Sequence, residues 1–167
     1  MGRAEGSWPR LWDEASETRG WHQWLWLVRL AEAKAEIELA RGRPEAAAEA
    51  AAEALELAAF HGRLKYELSP RLVLGSALLQ LRREGEAVSV LGKALADAGR
   101  LRQPPSIVRA ASRLGEALLA TGDDAAAERA HRTARKTLDG FVGGLSEPHR
   151  ESFLRTEAAT VVLALSR

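Results

Sequence analysis

Small and apolar residues recur at helical spacing from about residue 21 to residue 139, and this pattern predicts a succession of amphipathic helices separated by Gly and Pro signals. A short helix around Trp8, Pro9, Leu11 and Trp12 ends near Thr18 to Gly20. A long one follows over Trp21 to Arg41. One of its faces carries Trp21, Trp24, Leu25, Val28 and Ala35 and another Trp26, Leu30, Ala33, Ile37 and Ala40, so it is expected to be sandwiched. Gly42-Arg43-Pro44 closes it, and Pro44 opens a helix that runs through an Ala/Glu tract to about Phe60. His61-Gly62 ends that hairpin. Ser69-Pro70 is read as the next start, giving a pair at about 70–82 and 84–98, and Pro104-Pro105 sets off a third pair at about 106–120 and 123–138. Gly140, Gly143 and Gly144 break the chain. Ser146-Glu147-Pro148 then starts a last helix, kinked near Thr156, which carries Phe153, Leu154, Val161, Val162 and Leu165.

Inside this series a skeleton of small residues repeats. Gly75, Ala87 and Ala94 stand at offsets of 12 and 7, as do Gly115, Ala127 and Ala134 and, more weakly, Ala35, Ala47 and Ala54. Ala47, Ala87 and Ala127 lie 40 apart. A small side chain is needed where two helix backbones approach closely, so these nine residues are the expected close contacts. Gly75 is expected to face Ala87 and Gly115 to face Ala127. Ala54, Ala94 and Ala134 are expected to meet the following unit. The six residues by which the period exceeds the usual 34 are assigned to the stretches 60–69 and 100–105, as helix extension and a longer crossing loop. Continued backwards, the frame enters residues 7–19 in mid-hairpin and places Ser7, Leu11 and Ala15 on a second helix, which suggests the remnant of a preceding repeat.

Composition narrows the fold class. Hydrophobic residues make up 46% but aromatics only 5%, so close packing of alanine-rich helices replaces bulky core filling. The formal net charge of +1 provides no global field toward nucleic acid or anionic membrane, and the absence of cysteine excludes disulfides and thiolate metal sites. No stretch reaches the roughly 18 apolar residues of a membrane span, and the start lacks a secretory pattern. A cytoplasmic protein is the expectation.

The Leu-Gly-x2-Leu units at 74 and 114, each followed by the spaced alanines, resemble the tetratricopeptide repeat over about residues 21–139. The resemblance implies an all-α, right-handed superhelical array of about three hairpins (21–140), with an N-terminal flank (1–20) and a C-terminal capping helix (141–167). Stretches such as LARGRPEAA, LGSALLQL and SRLGEALLATGDDAAAERA are also similar to the carboxy-terminal repeats of large bacterial signalling ATPases and cyclase-linked regulators. This implies a non-catalytic scaffold that senses or binds a protein or peptide, an upstream domain of the same regulator being one candidate. Mapped from the two glycines, the family's concave partner face comprises Arg29, Glu32, Glu36, Leu72, Ser76, Gln80, Arg109, Ser112 and Glu116, with Leu39, Leu79 and Leu119 repeating at 40. The chain departs from the pattern at Lys34-Ala35 and at His131 and Arg135. It also lacks the lysine and asparagine array of a carboxylate clamp, so a mixed-charge or uncharged helix or extended peptide fits better.

Catalytic chemistry has little support in the sequence. His22, His61, His131 and His149 never pair at metal-ligand spacing, no phosphate-loop or metalloprotease motif occurs, and Gly140 to Gly144 follows a helix, not a strand. No catalytic residue, metal or cofactor is assigned. Arg129, Arg132, Arg135 and Lys136 form a basic run that could touch phosphates. It reads first as a solvated helix face, and nucleic-acid binding is the second reading.

Overall fold

The computed structural model describes residues 8–17, 20 and 22–164, and among these every regular element is an α-helix: α1 (Trp8–Glu17), α2 (Gln23–Ala40), α3 (Pro44–Phe60), α4 (Leu64–Gln80), α5 (Glu84–Arg100), α6 (Pro104–Ala120), α7 (Asp124–Gly143), α8 (Glu147–Leu154) and α9 (Glu157–Ala164). The readings that involve Ser7, Thr18, Trp21, Leu165 and the side chain of Val161 lie outside the described residues.

From α3 to α7 the helices begin at residues 44, 64, 84, 104 and 124, so the 40-residue period is two equal halves of 20. Helices α3 to α6 have 17 residues each, and each is joined to the next helix by a turn of three. The turn that ends α2 has the same form. In all five turns the third residue's N–H bonds the carbonyl five residues back, and the middle residue's N–H bonds the carbonyl three back, at 2.9–3.2 Å. This double closure caps orphan carbonyls at the helix end and requires a left-handed middle residue. Gly42, Gly62 and Gly122 supply it at φ 69°, 62° and 81°, whereas Arg82 and Arg102 adopt it at 58° and 50° despite carrying a side chain.

This regularity corrects several expectations. Helix α4 starts at Leu64, immediately after the cap of α3, and Pro70 lies inside it. Proline removes one backbone bond there, but Glu67, Leu68, Pro70 and Leu72 are all buried, so packing holds the segment helical. No longer crossing loop exists between the hairpins; helix extension alone absorbs the extra residues. Helix α7 continues through Gly140 to Gly143, because Leu138 is buried, Val142 packs on the same core and Phe141 meets Phe153 edge to face at 4.9 Å. The C-terminal segment is two short helices, broken at Arg155-Thr156 where a kink is expected from the sequence.

Neighbouring helices pack in chain order, and α4 also touches both α2 and α6, while α3, α5 and α7 make no contact with one another. The array therefore has a continuous first layer and an open second layer. Helix α9 contacts α6 and α7, as α6 contacts α4 and α5, so it occupies the next first-layer place. There Ala159 and Val162 are buried with Val108, Ala111, Ala134 and Leu138. The nine small residues of the skeleton are all buried. A Cβ on Gly75 would lie 2.5 Å from Leu91, and one on Gly115 would meet the ring of His131, so the glycines face residues four positions beyond Ala87 and Ala127. The first unit has Ala35 and Ala51 at the equivalent positions, in one cluster. Volume is thus traded across the hairpin, Ala with Ala and Gly with Leu or His.

Candidate partner-binding face

Because α2, α4 and α6 are related by 40 residues and lie side by side, equivalent residues form rows across the first layer. One row is Arg29, Ser69 and Arg109; another, two helical turns along, is Glu36, Ser76 and Glu116. Seven residues separate the rows, about 10 Å at 1.5 Å per residue, and the helical period keeps them on one face. Beside them, Leu39 and Leu79 are half-buried and Leu119 is 48% exposed.

The structure divides the expected face. Arg29, Glu36, Gln80 and Arg109 are exposed, and Ser76 and Glu116 are half-buried. Glu32, Leu72 and Ser112 form a third row, but they are buried at 8%, 3% and 2% exposure and belong to the interior. The reason is local: the first-layer helices lie close enough to cover this row, and Leu72 packs in the main core with Leu68, Leu78 and Leu91. Glu32 stays beneath the surface because the Arg29 guanidinium donates to its carboxylate at 2.6 Å. Arg113 holds Glu116 in the same way at 2.8 Å. Among the described residues, neither Arg109 nor Glu36 makes a side-chain hydrogen bond or ion pair. The face thus carries exposed charges of both signs, Arg109 and Glu36, beside an apolar edge that is exposed at Leu119, a combination suited to docking another chain.

Helix α2 is not sandwiched. Val28, Ala31, Glu32 and Ala35 are buried, whereas Trp26 and Ile37 are 58% and 39% exposed, since α1 buries no residue of its own. Trp24 instead stacks on His61 at 4.7 Å and meets Tyr66 edge-on at 5.6 Å.

The remaining histidines are equally local in their contacts. His22 is the residue before α2, His131 faces Gly115, and the His149 Nδ1 lies 2.7 Å from the Ser146 hydroxyl. Among the described residues no three His, Cys, Asp or Glu side chains converge as metal ligands. No helix among them is long and apolar enough to cross a membrane. In the basic run, Arg132 pairs with Glu128 and Arg135 with Asp139, so two of its four charges are matched on their own helix.

Sequence reasoning missed a part-buried ion cluster. Arg71 on α4 donates to Glu67 and, across the hairpin, to Asp97 on α5, both at 2.5 Å. It lies at the base of a cleft of about 290 Å3 between α3 and α5, with Leu55, Val90 and Lys93 on the walls. The available signal was Arg71 itself, since Ala31 and Ala111 hold the equivalent positions. No family model, curated protein or solved structure matches the chain.

Proposed function

We propose that this chain is a non-catalytic scaffold for protein–protein interaction, built as a tetratricopeptide-like array that receives a helix or extended peptide across its first layer. One observation carries the reading: three equivalent helices present registered rows of charged and apolar side chains on a face that no described element covers. A solenoid of stacked hairpins uses such repetition to present an extended surface, and an enzyme has no comparable need for it. By its similarity to the repeats of bacterial signalling ATPases, the chain serves as the sensing or binding portion of a regulator, working in the cytoplasm on a protein partner or on an upstream domain.

Site-specific photo-crosslinking tests this. A crosslinker placed at Gln80 or Glu36 is expected to trap a discrete partner, whereas one at Glu49 or Glu128 on second-layer helices does not. Equal trapping from both layers would remove the assignment. Turnover of any substrate by the homogeneous protein would remove the non-catalytic reading.

A further inference from the structure

In each hairpin the end of the second helix, at residues 61, 101 and 141, lies at the start of the first, at residues 24, 64 and 104. Aromatic side chains fill this place in the first hairpin: Trp24 stacks on His61 at 4.7 Å, and Phe60 meets the same ring edge-on at 5.2 Å. Leu64 and Leu101 hold the positions in the second. The third keeps a central ring as Phe141, but Pro104 stands in place of Trp24 and Gly140 in place of Phe60. Both ring neighbours are thus replaced by small residues, and a cleft of about 540 Å3 opens there, lined by Pro104, Lys136, Gly140, Phe141, Gly144 and Leu145. Phe141 has one aromatic neighbour, Phe153 on α8, which meets it edge to face at 4.9 Å. Helix α7 extends the wall by running to Gly143, past the point at which α3 and α5 turn.

Resting on the scaffold reading above, we propose that this cleft receives one aromatic side chain of the protein partner, which stacks on Phe141 as Trp24 stacks on His61. Offset stacking is a favoured aromatic geometry, and the cleft falls within the usual size of ligand pockets, about 300–1,000 Å3. The lining argues for a tethered ring and against a free aromatic compound. Small-molecule sites fix their ligand with polar groups that converge on it, whereas here the polar side chains are only those of Lys136 and Thr137, from adjacent positions of α7. A side chain is oriented instead by its own backbone and by contacts elsewhere on the scaffold. The site is separate from the charged rows, since it opens where α6 begins, five residues before Arg109.

The test uses the isotope-labelled full chain with two capped tripeptides, acetyl-Gly-Trp-Gly-amide and acetyl-Gly-Leu-Gly-amide, and indole-3-acetate as a free aromatic. Backbone amide signals of Gly140 and Gly144 report on the cleft. The tryptophan peptide is expected to shift both saturably with a dissociation constant of about 1 mM, as suits a single small anchor. The leucine peptide should bind about tenfold more weakly, the upper range of what a stacked ring pair adds. P104W and G140F return the first hairpin's side chains to the third, and each should abolish the shift at Gly144. A Cβ on Gly140 meets nothing within 4 Å, so G140F fills the cleft without disturbing the core. Circular dichroism checks the fold of both variants. Equal shifts with the two peptides, no shift with either, or shifts that persist in both variants overturn the aromatic site. Binding of indole-3-acetate with the tryptophan peptide excluded also overturns it, by making the cleft a small-molecule pocket. If crosslinking from Gln80 still traps a partner in any of these events, the scaffold reading survives and only the aromatic anchor is lost.

Discussion

The contact between Gly75 and Leu91 yields the sharpest prediction, because it sets two effects of known sign against each other. A Cβ at Gly75 would lie 2.5 Å from both Cγ and Cδ2 of Leu91. Ordinary carbon contacts lie at about 3.5–4.0 Å, so something must move by at least about 1 Å. Leu91 is fully buried and has no solvent side to retreat to. Overpacking of this kind costs about 1–3 kcal/mol, while exchanging Gly for Ala within a helix recovers about 1 kcal/mol. G75A should therefore destabilise by about 1 kcal/mol. Leu91→Ala should cost about 2–5 kcal/mol through lost burial and the cavity it leaves. In the L91A background the clash is gone, part of the cavity can be filled, and the helix gain remains, so the same G75A change should now stabilise. The double variant reproduces the Ala35 and Ala51 arrangement of the first unit. Urea unfolding of the four proteins, read as midpoint shifts at constant m, measures the coupling, expected at about 1–3 kcal/mol. Equal effects of G75A in both backgrounds would refute the volume-exchange account.

At Gly115 the opposing group is a half-buried His131 ring that can swing outward, so G115A should cost less than G75A, as compared by their thermal midpoints. Arg82→Gly and Arg102→Gly should each stabilise by about 1 kcal/mol by relieving a left-handed side-chain residue, while Gly42→Ala should destabilise by a similar amount; urea midpoints of these single variants decide it. Removing the guanidinium with Arg71→Ala leaves Glu67 and Asp97 without their shared partner and should cost about 3 kcal/mol, whereas the triple change to the first unit's residues, E67L/R71A/D97L, should recover most of it in the same assay. The Arg83 guanidinium, through its hydrogen bonds, holds the Glu86 carboxyl below the ordinary carboxylate range. The folded-state value is the depressed one, so the small stability gain is present above the unfolded value and lost as pH falls through the folded one. Carboxyl chemical shifts should show Glu86 titrating late on acidification, and Arg83→Gln should abolish the delay.

The helical class and the 40-residue period were legible because alanine spacing and Gly and Pro punctuation are local signals. The half-period was not, because two of its five turns place arginine where glycine marks the others, and Arg82 and Arg102 look like ordinary surface residues until their backbone angles are known. Pro70 misled for the opposite reason: a strong local breaker was outweighed by burial of the residues around it. The candidate face was legible as a set of positions, but not as a surface. Leu72 and Arg109 occupy neighbouring rows of one frame, and only the closeness of the first-layer helices decides that one is interior and the other free.

The uniform three-residue turn also governs how a gene for such a chain can change length. Because every junction from residue 41 to residue 123 has the same closure, excision or duplication of a 40-residue block at any of them rejoins like with like, and both layers keep their alternation. A 20-residue event would still make a sound turn, yet it would send every later helix to the opposite layer and turn the partner-facing rows away from their neighbours. Any other length would rotate the next helix about its axis and expose its alanines. Recombination within this array is thus quantised by its geometry, with whole hairpins as the steps that preserve a continuous face, and a lineage could lengthen or shorten its binding surface without inventing a new junction.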